Sequence, residues 1–316
     1  MVAANSLGSS STADASQTAT GSGGQAGRSR RLIWVLAPAV GLMITAIVLR
    51  FGIGPALERL PADYGSEIVL EATTRFRETP GAEAKELHQR GRRVDQVMSV
   101  TNDVAVIQSH VDWSDESGQV NYQTTGLYGV DRRTRGNVAG YGDLARNGQF
   151  LFPPHLSGTL DQVWDPYYSG PRRLTFERNE AVGGLTLAVY RFDVAGLDET
   201  KAYDFLPDVP ERFGASTNGE GRLWIEPVSG ILVDLEDNGH TFFAEPAKGR
   251  SAGDINAWQA RYSAASKDTL LRLASTMRLQ ILATEIWLPL ALLALAFTWL
   301  AIGLVRLRRR ASSVAP

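Results

Sequence analysis

The stretch IWLPLALLALAFTWLAIGLV occupies residues 286–305 and contains no charged side chain. As an α-helix, its 20 residues would span about 30 Å at ~1.5 Å per residue, which matches the hydrocarbon core of a bilayer. A second uncharged stretch, LIWVLAPAVGLMITAIVL, occupies residues 32–49, and apolar residues continue it after Arg50. The two stretches predict transmembrane helices over residues 32–53 and 286–305.

Each apolar stretch has an alternative interpretation. The stretch 32–49 could be a cleaved signal peptide, but it is longer than a usual signal sequence and 31 residues precede it. No convincing small-residue cleavage site follows it. The stretch 286–305 could be a buried core helix, but a run of arginines ends it. We therefore favour an uncleaved membrane span in both places.

Aromatic and basic residues lie near the ends of the two predicted spans. Trp34, Trp287 and Trp299 fall within a few residues of span ends, where membrane proteins often carry tryptophan. The long side chain of Arg50 can extend its charge to the same interface. We therefore assign these four residues to the membrane interface.

Arginines also flank the spans on the sides that lead to the chain termini. They are Arg28, Arg30, Arg31, Arg306, Arg308, Arg309 and Arg310. Because basic residues next to a span favour the cytoplasmic side, we expect both termini to be cytoplasmic. Residues 1–31, rich in Ser, Thr, Gly and Ala, are then a disordered cytoplasmic tail, and residues 306–316 are a basic cytoplasmic tail. The domain between the spans is predicted to lie outside the plasma membrane.

Composition excludes several classes of function. The chain has no cysteine, which excludes disulfides, zinc–thiolate sites, iron–sulfur clusters and a cysteine nucleophile. Residues 51–285 carry 24 basic and 33 acidic side chains. An acidic domain is a poor partner for nucleic acid, because phosphate contacts need clustered lysine and arginine.

Residues 54–251 show the pattern of an antiparallel β-rich domain. Residues 104–113 alternate apolar and polar side chains, which indicates a half-buried strand. Further strands are predicted over 66–76, 119–130, 172–179, 185–194, 221–226, 231–236 and 240–245. The pair Asn238-Gly239 is a strong hairpin signal and predicts a turn between the last two. Recurring turns among short strands indicate a sheet, a sandwich or a half-barrel.

Residues 252–285 predict an amphipathic stalk helix that leads into the second span. Apolar residues recur there at helical spacings: Trp258, Tyr262, Leu270, Leu273, Met277 and Ile281. The predicted fold class is therefore membrane-anchored α+β, with two transmembrane helices flanking the extracytoplasmic β-rich domain.

The sequence contains no strong catalytic or metal motif. Residues 234–245 place oxygen donors as an EF-hand loop does, but strands flank them, so a solvated acidic hairpin is favoured over a calcium site. The four histidines, His88, His110, His155 and His240, lie far apart. Folding could pair His110 with Asp112 or His155 with Asp161, yet surface positions are the default. We expect no catalytic residue, no metal and no cofactor, and hence a non-enzymatic protein.

Two loops are unusually aromatic. Their aromatic side chains are Phe150, Phe152, Trp164, Tyr167 and Tyr168. Such residues could form the rim of an apolar ligand pocket. The alternative is that the loops pack against the core of the domain.

Several short motifs, in their order along residues 31–310, resemble the actinobacterial porin PorA family. They are Gly129-Val130-Asp131-Arg132, Gly148-Gln149-Phe150-Leu151-Phe152-Pro153, Val163-Trp164-Asp165-Pro166, Tyr190-Arg191-Phe192 and Leu223-Trp224-Ile225-Glu226-Pro227, between two spans. The resemblance implies a two-span protein of the cell envelope with a β-rich exterior domain. It also implies a link to lipoglycan or glycolipid assembly, and it transfers no ligand residues.

The favoured function is that of an anchored accessory protein for envelope lipids. Its partners would be membrane lipids, an envelope lipid or glycolipid, and an export or assembly complex, while its oligomeric state stays open. The sheet could shelter an acyl chain beneath the helix. The alternatives are a structural scaffold, an envelope hydrolase or transferase, and a homo-oligomeric channel. Two mostly apolar spans cannot line a pore in one copy.

Overall fold

The computed structural model describes residues 23–245 and 250–312. The chain forms two compact units. Within the described residues, the helical unit contains Gly23–Val48 and Leu288–Ser312. The β unit is Leu49–Trp287.

The helical unit consists of α1 (Gly23–Val48) and α4 (Leu288–Ser312), which pack against each other. Gly303 allows close approach, because a Cβ there would overlap the side chain of Val35. The indole Nε1 of Trp299 donates a hydrogen bond to the carbonyl oxygen of Val35 at 3.1 Å. Small residues at a contact between apolar helices are typical of helices packed within a membrane.

Two helical stretches, Ile33–Glu58 and Ala264–Arg309, are long and apolar enough to cross a membrane. In the most apolar part of each stretch, only 11% and 17% of the residues, respectively, are buried within the protein. The second stretch is therefore not the core helix of a soluble domain. The predicted disordered tail over residues 1–31 is corrected for residues 23–31, which are helical, because a helix nucleated in the apolar stretch can propagate through the arginines that precede it. Residues 1–22 lie outside the described residues.

A wide π-helical turn precedes each of two prolines. These turns are Leu49–Ile53, followed by the short helix α2 (Gly54–Glu58), and Ala283–Trp287. Pro55 and Pro289 have no N–H, and their rings clash with the carbonyl group four residues earlier. The helix relieves this conflict by widening locally. A proline therefore accompanies both irregular turns, whereas Pro38 lies within the regular helix α1.

The β unit is built on one ten-stranded antiparallel sheet. Its strands are β1 (Gly65–Phe76), β2 (Lys85–Thr101), β3 (Val104–Ser114), β4 (Val120–Asp131), β5 (Leu160–Val163), β6 (Arg172–Val182), β7 (Leu185–Asp198), β8 (Gly214–Glu226), β9 (Ile231–Ala244) and β10 (Ser251–Tyr262). Their spatial order is β4-β3-β2-β1-β10-β9-β8-β7-β6-β5. The sheet is a half-barrel, which confirms the antiparallel β-rich part of the predicted fold class.

Short loop segments connect the two edge strands of the half-barrel. Within the described residues, isolated bridges join Val130 of β4 to Asn137, Gly136 to Gln149, and Gln149 to Val163 of β5. The loop between β4 and β6 therefore crosses the gap that the sheet leaves open. Edge strands covered in this way are protected from pairing with other chains.

Alternation along the strands gives the sheet two chemically distinct faces. We call inner the face that carries Leu70, Ile107, Tyr190, Leu223 and Leu235, all of them buried. We call outer the face that carries Glu71, Arg90, Arg191, Arg222 and Arg261, of which Arg222 is half-buried and the others are exposed. Strands with one apolar and one polar face are expected where an antiparallel sheet meets water on one side.

Helix α3 (Ala264–Leu282) packs on part of the outer face. Ser263 caps its first turn, and the hydroxyl of Ser266 accepts a hydrogen bond from the backbone N–H of Val69 at 2.8 Å. Leu271 and Ala274 contact a cluster that contains Leu187, Trp224 and Val233. Arg278 reaches the buried carboxylate of Glu226 at 2.6 Å.

The predicted stalk helix over residues 252–285 needs correction at its start. Residues up to Tyr262 belong to strand β10, and α3 begins at Ala264. Trp258 and Tyr262 are four residues apart, a spacing that places them on one face of either a helix or a strand.

The predicted turn at Asn238-Gly239 is also wrong, because β9 continues through it. A Cβ at Gly239 would overlap the ring of Trp258, so glycine is there for close packing.

Candidate functional site

The inner face of the sheet is filled by the loop between β4 and β6. Phe150, Phe152 and Tyr168 are 4%, 7% and 6% exposed, while Trp164 and Tyr167 pack partly buried against the same clusters. Phe150 stacks on Tyr128 with ring centroids 4.0 Å apart. The structure thus places these aromatic loops in the core, as the packing alternative expects. Ligand binding by these five residues stays a prediction.

Buried arginines lie within this packed interior, among them Arg93 and Arg172. Arg93 pairs in a bidentate manner with Asp95, at 2.9 Å from Nε to Oδ1 and 2.7 Å to the second oxygen. Arg172 lies between the carboxylates of Asp165 and Asp237. Burial lowers the pKa of Arg172 to about 10, so the guanidinium stays charged at neutral pH. These pairs hold the inner face together, and their burial separates them from any dissolved ligand.

A third group of polar side chains joins three distant parts of the β unit. Glu58 ends α2, Glu285 lies in the second π-helical turn, and His155 lies in the loop over the inner face with φ of 56°. The Nε2 atom of His155 is 3.0 Å from Oε1 of Glu58 and 3.0 Å from Oε2 of Glu285. Arg50 Nη1 is 3.0 Å from the other oxygen of Glu285. We call Glu58, His155 and Glu285 the junction cluster.

The junction cluster differs from the pairs predicted from the sequence. His155 meets Glu58 and Glu285 rather than Asp161, because the loop crosses the sheet towards the helix ends. The pair of His110 with Asp112 does form, at 2.8 Å on the outer face, where Thr125 is the second neighbour. Gly54 relieves crowding at the junction, since a Cβ there would lie 3.3 Å from Cγ of Glu285.

The outer face contains a polar cleft of about 700 Å³ beside the part that α3 covers. It crosses strands β2, β1, β10 and β9 and reaches the turn after β3. Its polar lining residues are Glu71, Thr73, His88, Gln89, Arg90, Asp115, Glu116, Glu236, Asn238, Gln259 and Arg261. We call this group the outer cleft.

Cross-strand register sets the charge pattern of the outer cleft. Glu71 lies opposite Arg90 on one side and Arg261 on the other, and Arg261 lies opposite Glu236. Within the described residues, neither a side-chain hydrogen bond nor an ion pair within 4 Å engages Glu71, Arg90 or Arg261. These charged side chains are therefore available to an incoming polar ligand.

The model of the family described as Porin PorA matches residues 33–305, well over half of the chain. The chain belongs to the Porin PorA family. This result confirms the family resemblance and, with the two apolar helices, identifies a membrane-associated protein. No curated protein matches the sequence. One solved structure that was matched is the acyl-CoA thioesterase II TesB2 from Mycobacterium marinum, which is 12% identical in sequence. The match covers 65% of this chain and 84% of the thioesterase chain. Its TM-score is 0.13, so it supports no conclusion about fold or function.

Within the described residues, apolar side chains pack the inner face of the sheet. The interior side chains of Ile107, Leu174, Leu223 and Leu235 are at most 2% exposed. Barrels that conduct solutes keep a polar, water-filled interior instead. In this PorA-family protein the candidate binding surface is therefore the outer cleft.

The structure describes some of the residues that were assigned to the membrane interface and to topology. Trp34 and Trp299 are 78% and 48% exposed on the helical unit, and Trp287 is 51% exposed at the end of the β unit. Arg306, Arg308 and Arg309 belong to α4. The side chains of Arg28, Arg30, Arg31 and Arg310 lie outside the described residues. The side of the membrane on which each lies stays a prediction.

Sequence reasoning missed the outer cleft and the junction cluster. A signal for the cleft existed in β1 and β10, where Glu71, Thr73, Gln259 and Arg261 alternate with buried or half-buried residues. The junction cluster had no such signal, because its three members come from positions 58, 155 and 285.

Proposed function

We propose that this protein is anchored in the plasma membrane and uses its outer cleft to bind the glycan head of an envelope glycolipid. The observation that carries the proposal is the polar lining across four strands, in which the charged side chains of Glu71, Arg90 and Arg261 are not engaged by other side chains that the structure describes. A ligand rich in hydroxyl groups can donate to carboxylates and accept from arginine and amide groups at the same time. The role of the protein would be to present the glycolipid, or to pass it on, during envelope assembly.

The outer cleft suits a neutral glycan better than an acyl chain or a phosphate. Its lining includes no aromatic residue and exposes more polar than apolar surface, which disfavours an acyl chain. Four carboxylates, from Glu71, Asp115, Glu116 and Glu236, outnumber the two arginines Arg90 and Arg261. This excess of negative charge disfavours a phosphate ligand. The inner face, which could otherwise shelter a chain, is filled by aromatic residues.

Membrane anchoring would support such binding at low ligand affinity. Two spans would keep the β unit close to the lipids of one leaflet, and tethering raises the effective concentration of ligand without new contacts. The proposal needs the β unit to lie outside the cytoplasm. The arginines next to both spans favour that orientation.

Cysteine labelling tests the orientation. The chain has no cysteine, so single substitutions Ser9→Cys, Ser117→Cys and Ser312→Cys each introduce one thiol. In cells stripped of any outer barrier, a membrane-impermeant thiol reagent should modify only position 117. Permeabilised cells serve as the control and should allow labelling at all three positions. Labelling of position 9 or 312 in intact cells would contradict the proposed orientation.

Lipid analysis of the purified protein tests the outer cleft. Wild-type protein extracted in mild detergent should carry glycolipid detectable by mass spectrometry. The double variant Glu71→Gln/Arg90→Ala should lose it about tenfold or more, since each hydrogen bond to a charged group contributes ~1.5–3 kcal/mol. Both residues are exposed, so the fold should persist.

The double variant Arg191→Ala/Asp193→Asn is the matched control for that experiment. These residues form an exposed ion pair at 2.8 Å on the outer face, beyond the cleft. The control should retain glycolipid at the wild-type level. If the wild type and both double variants retain the same amount of glycolipid, the outer cleft is excluded as the binding site.

A structural scaffold is the second candidate function. The closely packed inner face favours it, because a domain whose described interior is filled by its own side chains can still present surfaces to other proteins. A wild-type protein that carries no glycolipid would support this alternative.

A further inference from the structure

We propose that the junction cluster binds one divalent transition-metal ion, with Zn²⁺ as the best match. Its ligands would be Oε1 of Glu58, Nε2 of His155 and Oε2 of Glu285. These atoms lie within 4.8 Å of one another, and Nε2 is 3.0 Å from each of the two oxygens. Ligands arranged tetrahedrally around zinc at ~2.0–2.2 Å lie about 3.3–3.6 Å apart, so an ion would fit after the donors move apart by a few tenths of an ångström.

A histidine ring alone explains this geometry poorly. One Nε2 atom carries at most one hydrogen and cannot direct it at two carboxylate oxygens equally well. The two carboxylates also repel each other unless a cation or a shared proton compensates them. Arg50 contacts only Oε1 of Glu285, so Oε2, which faces Nε2 of His155, can bind a second cation. An ion bound by all three donors would satisfy these requirements together.

The surroundings resemble those of metal ligands in other proteins. The contact from Arg50 would hold the Glu285 carboxylate in place, as outer-shell hydrogen bonds commonly do for metal-binding carboxylates. Glu285 is buried, whereas the His155 side chain is 48% exposed. An ion could therefore enter from the His155 side and keep a solvent-accessible position there.

The donor types determine the class of metal. One imidazole nitrogen with two carboxylate oxygens suits Zn²⁺ and related ions. Ca²⁺ and Mg²⁺ prefer sites made of oxygen only. The absence of cysteine, and of a methionine among the donors, disfavours Cu⁺. Because the donors come from three separate segments, the ion would tie α2, the loop and the second π-helical turn together.

Zinc titration of the full-length protein in detergent tests the site. After treatment with a chelator, wild-type protein should take up one Zn²⁺ per chain, and its melting temperature should rise with Zn²⁺ concentration, because ligands stabilise the state that binds them. Millimolar Ca²⁺ and Mg²⁺ should not displace the zinc. Displacement by either would overturn the assignment to a transition metal.

The variants His155→Gln and Glu58→Gln should each weaken zinc binding at least about tenfold and abolish the zinc-dependent rise in melting temperature. His110→Ala is the matched control, since His110 is also half-exposed and paired with a carboxylate at 2.8 Å. It should bind zinc as wild type does. If His155→Gln does not fold, Glu58→Gln decides alone, because its amide keeps the shape of the carboxylate. Unchanged zinc uptake in the variant that folds, or no uptake by wild type, would overturn the proposal.

Discussion

Replacing Arg172 with alanine is expected to lower the free energy of unfolding by about 3–5 kcal/mol, the usual cost of removing one partner of a buried ion pair. The Arg172 side chain is 1% exposed and lies between Asp165 and Asp237. Its guanidinium also stacks on the rings of Tyr168 and Phe192, at 4.7 and 4.3 Å from their centroids. Without it, two buried carboxylates lose their cation. Chemical denaturation of the full-length protein in detergent, followed by tryptophan fluorescence, measures the loss.

Arg173→Ala provides the matched control next to it in the sequence. The Arg173 side chain is 69% exposed and pairs with Asp161, whose side chain is 80% exposed. Such surface pairs contribute at most about 1 kcal/mol. A loss in Arg173→Ala as large as that in Arg172→Ala would show that burial of the ion pair does not determine the effect.

The pH dependence of the Arg172→Ala variant separates lost charge from lost packing. Burial raises the pKa of Asp237, and the positive charge of Arg172 opposes that rise. In the variant the pKa of Asp237 should therefore be higher still. A carboxyl with a higher pKa in the folded state takes up its proton preferentially there, so folding is favoured as pH falls through that pKa. The stability difference from wild type should shrink on acidification, whereas a pure packing defect would not respond.

The strands that were predicted from the sequence are those with an apolar inner face. In β3 the inner positions include Ala105, Ile107 and Val111, so the alternation is visible. Strand β2 was missed because its inner positions include Gly91, Arg93 and Asp95. Arg93 can be buried only because Asp95 neutralises it and Ser109 adds a hydrogen bond at 2.5 Å. A single sequence does not reveal such compensation, so the strand has the composition of a surface segment.

The remaining errors come from contacts between distant parts of the chain. In the sequence, Asn238-Gly239 has the composition of a hairpin turn. In the structure, Trp258 of the neighbouring strand packs over Gly239. Likewise, nothing near His155 in the sequence indicates Glu58 or Glu285. Local patterns report periodicity and turn chemistry, but they do not report which strands become neighbours. For that reason the two long apolar helices and the antiparallel β-rich part of the fold were predictable, whereas both candidate sites required the structure.

Replacing Phe150 with alanine is expected to cost about 3–5 kcal/mol of unfolding free energy, as truncation of buried phenylalanine does elsewhere. Phe150 is 4% exposed, stacks on Tyr128, and lies 5.5 Å from the Arg93 guanidinium. The control Phe205→Ala, at a residue that is 62% exposed, should change stability by no more than ~0.5 kcal/mol. The same denaturation measurement compares both variants with wild type.

This pair of variants also distinguishes a core residue from a residue at the rim of a lipid groove. If Phe150 lined such a groove, alanine would leave the unfolding free energy nearly unchanged and would reduce the lipid that copurifies with the protein. If Phe150 belongs to the core, alanine lowers the unfolding free energy. The molecules that are still folded then retain glycolipid at the wild-type level. The second outcome is expected, because the loop that carries Phe150 occupies the inner face and leaves the polar outer cleft as the surface open to a ligand.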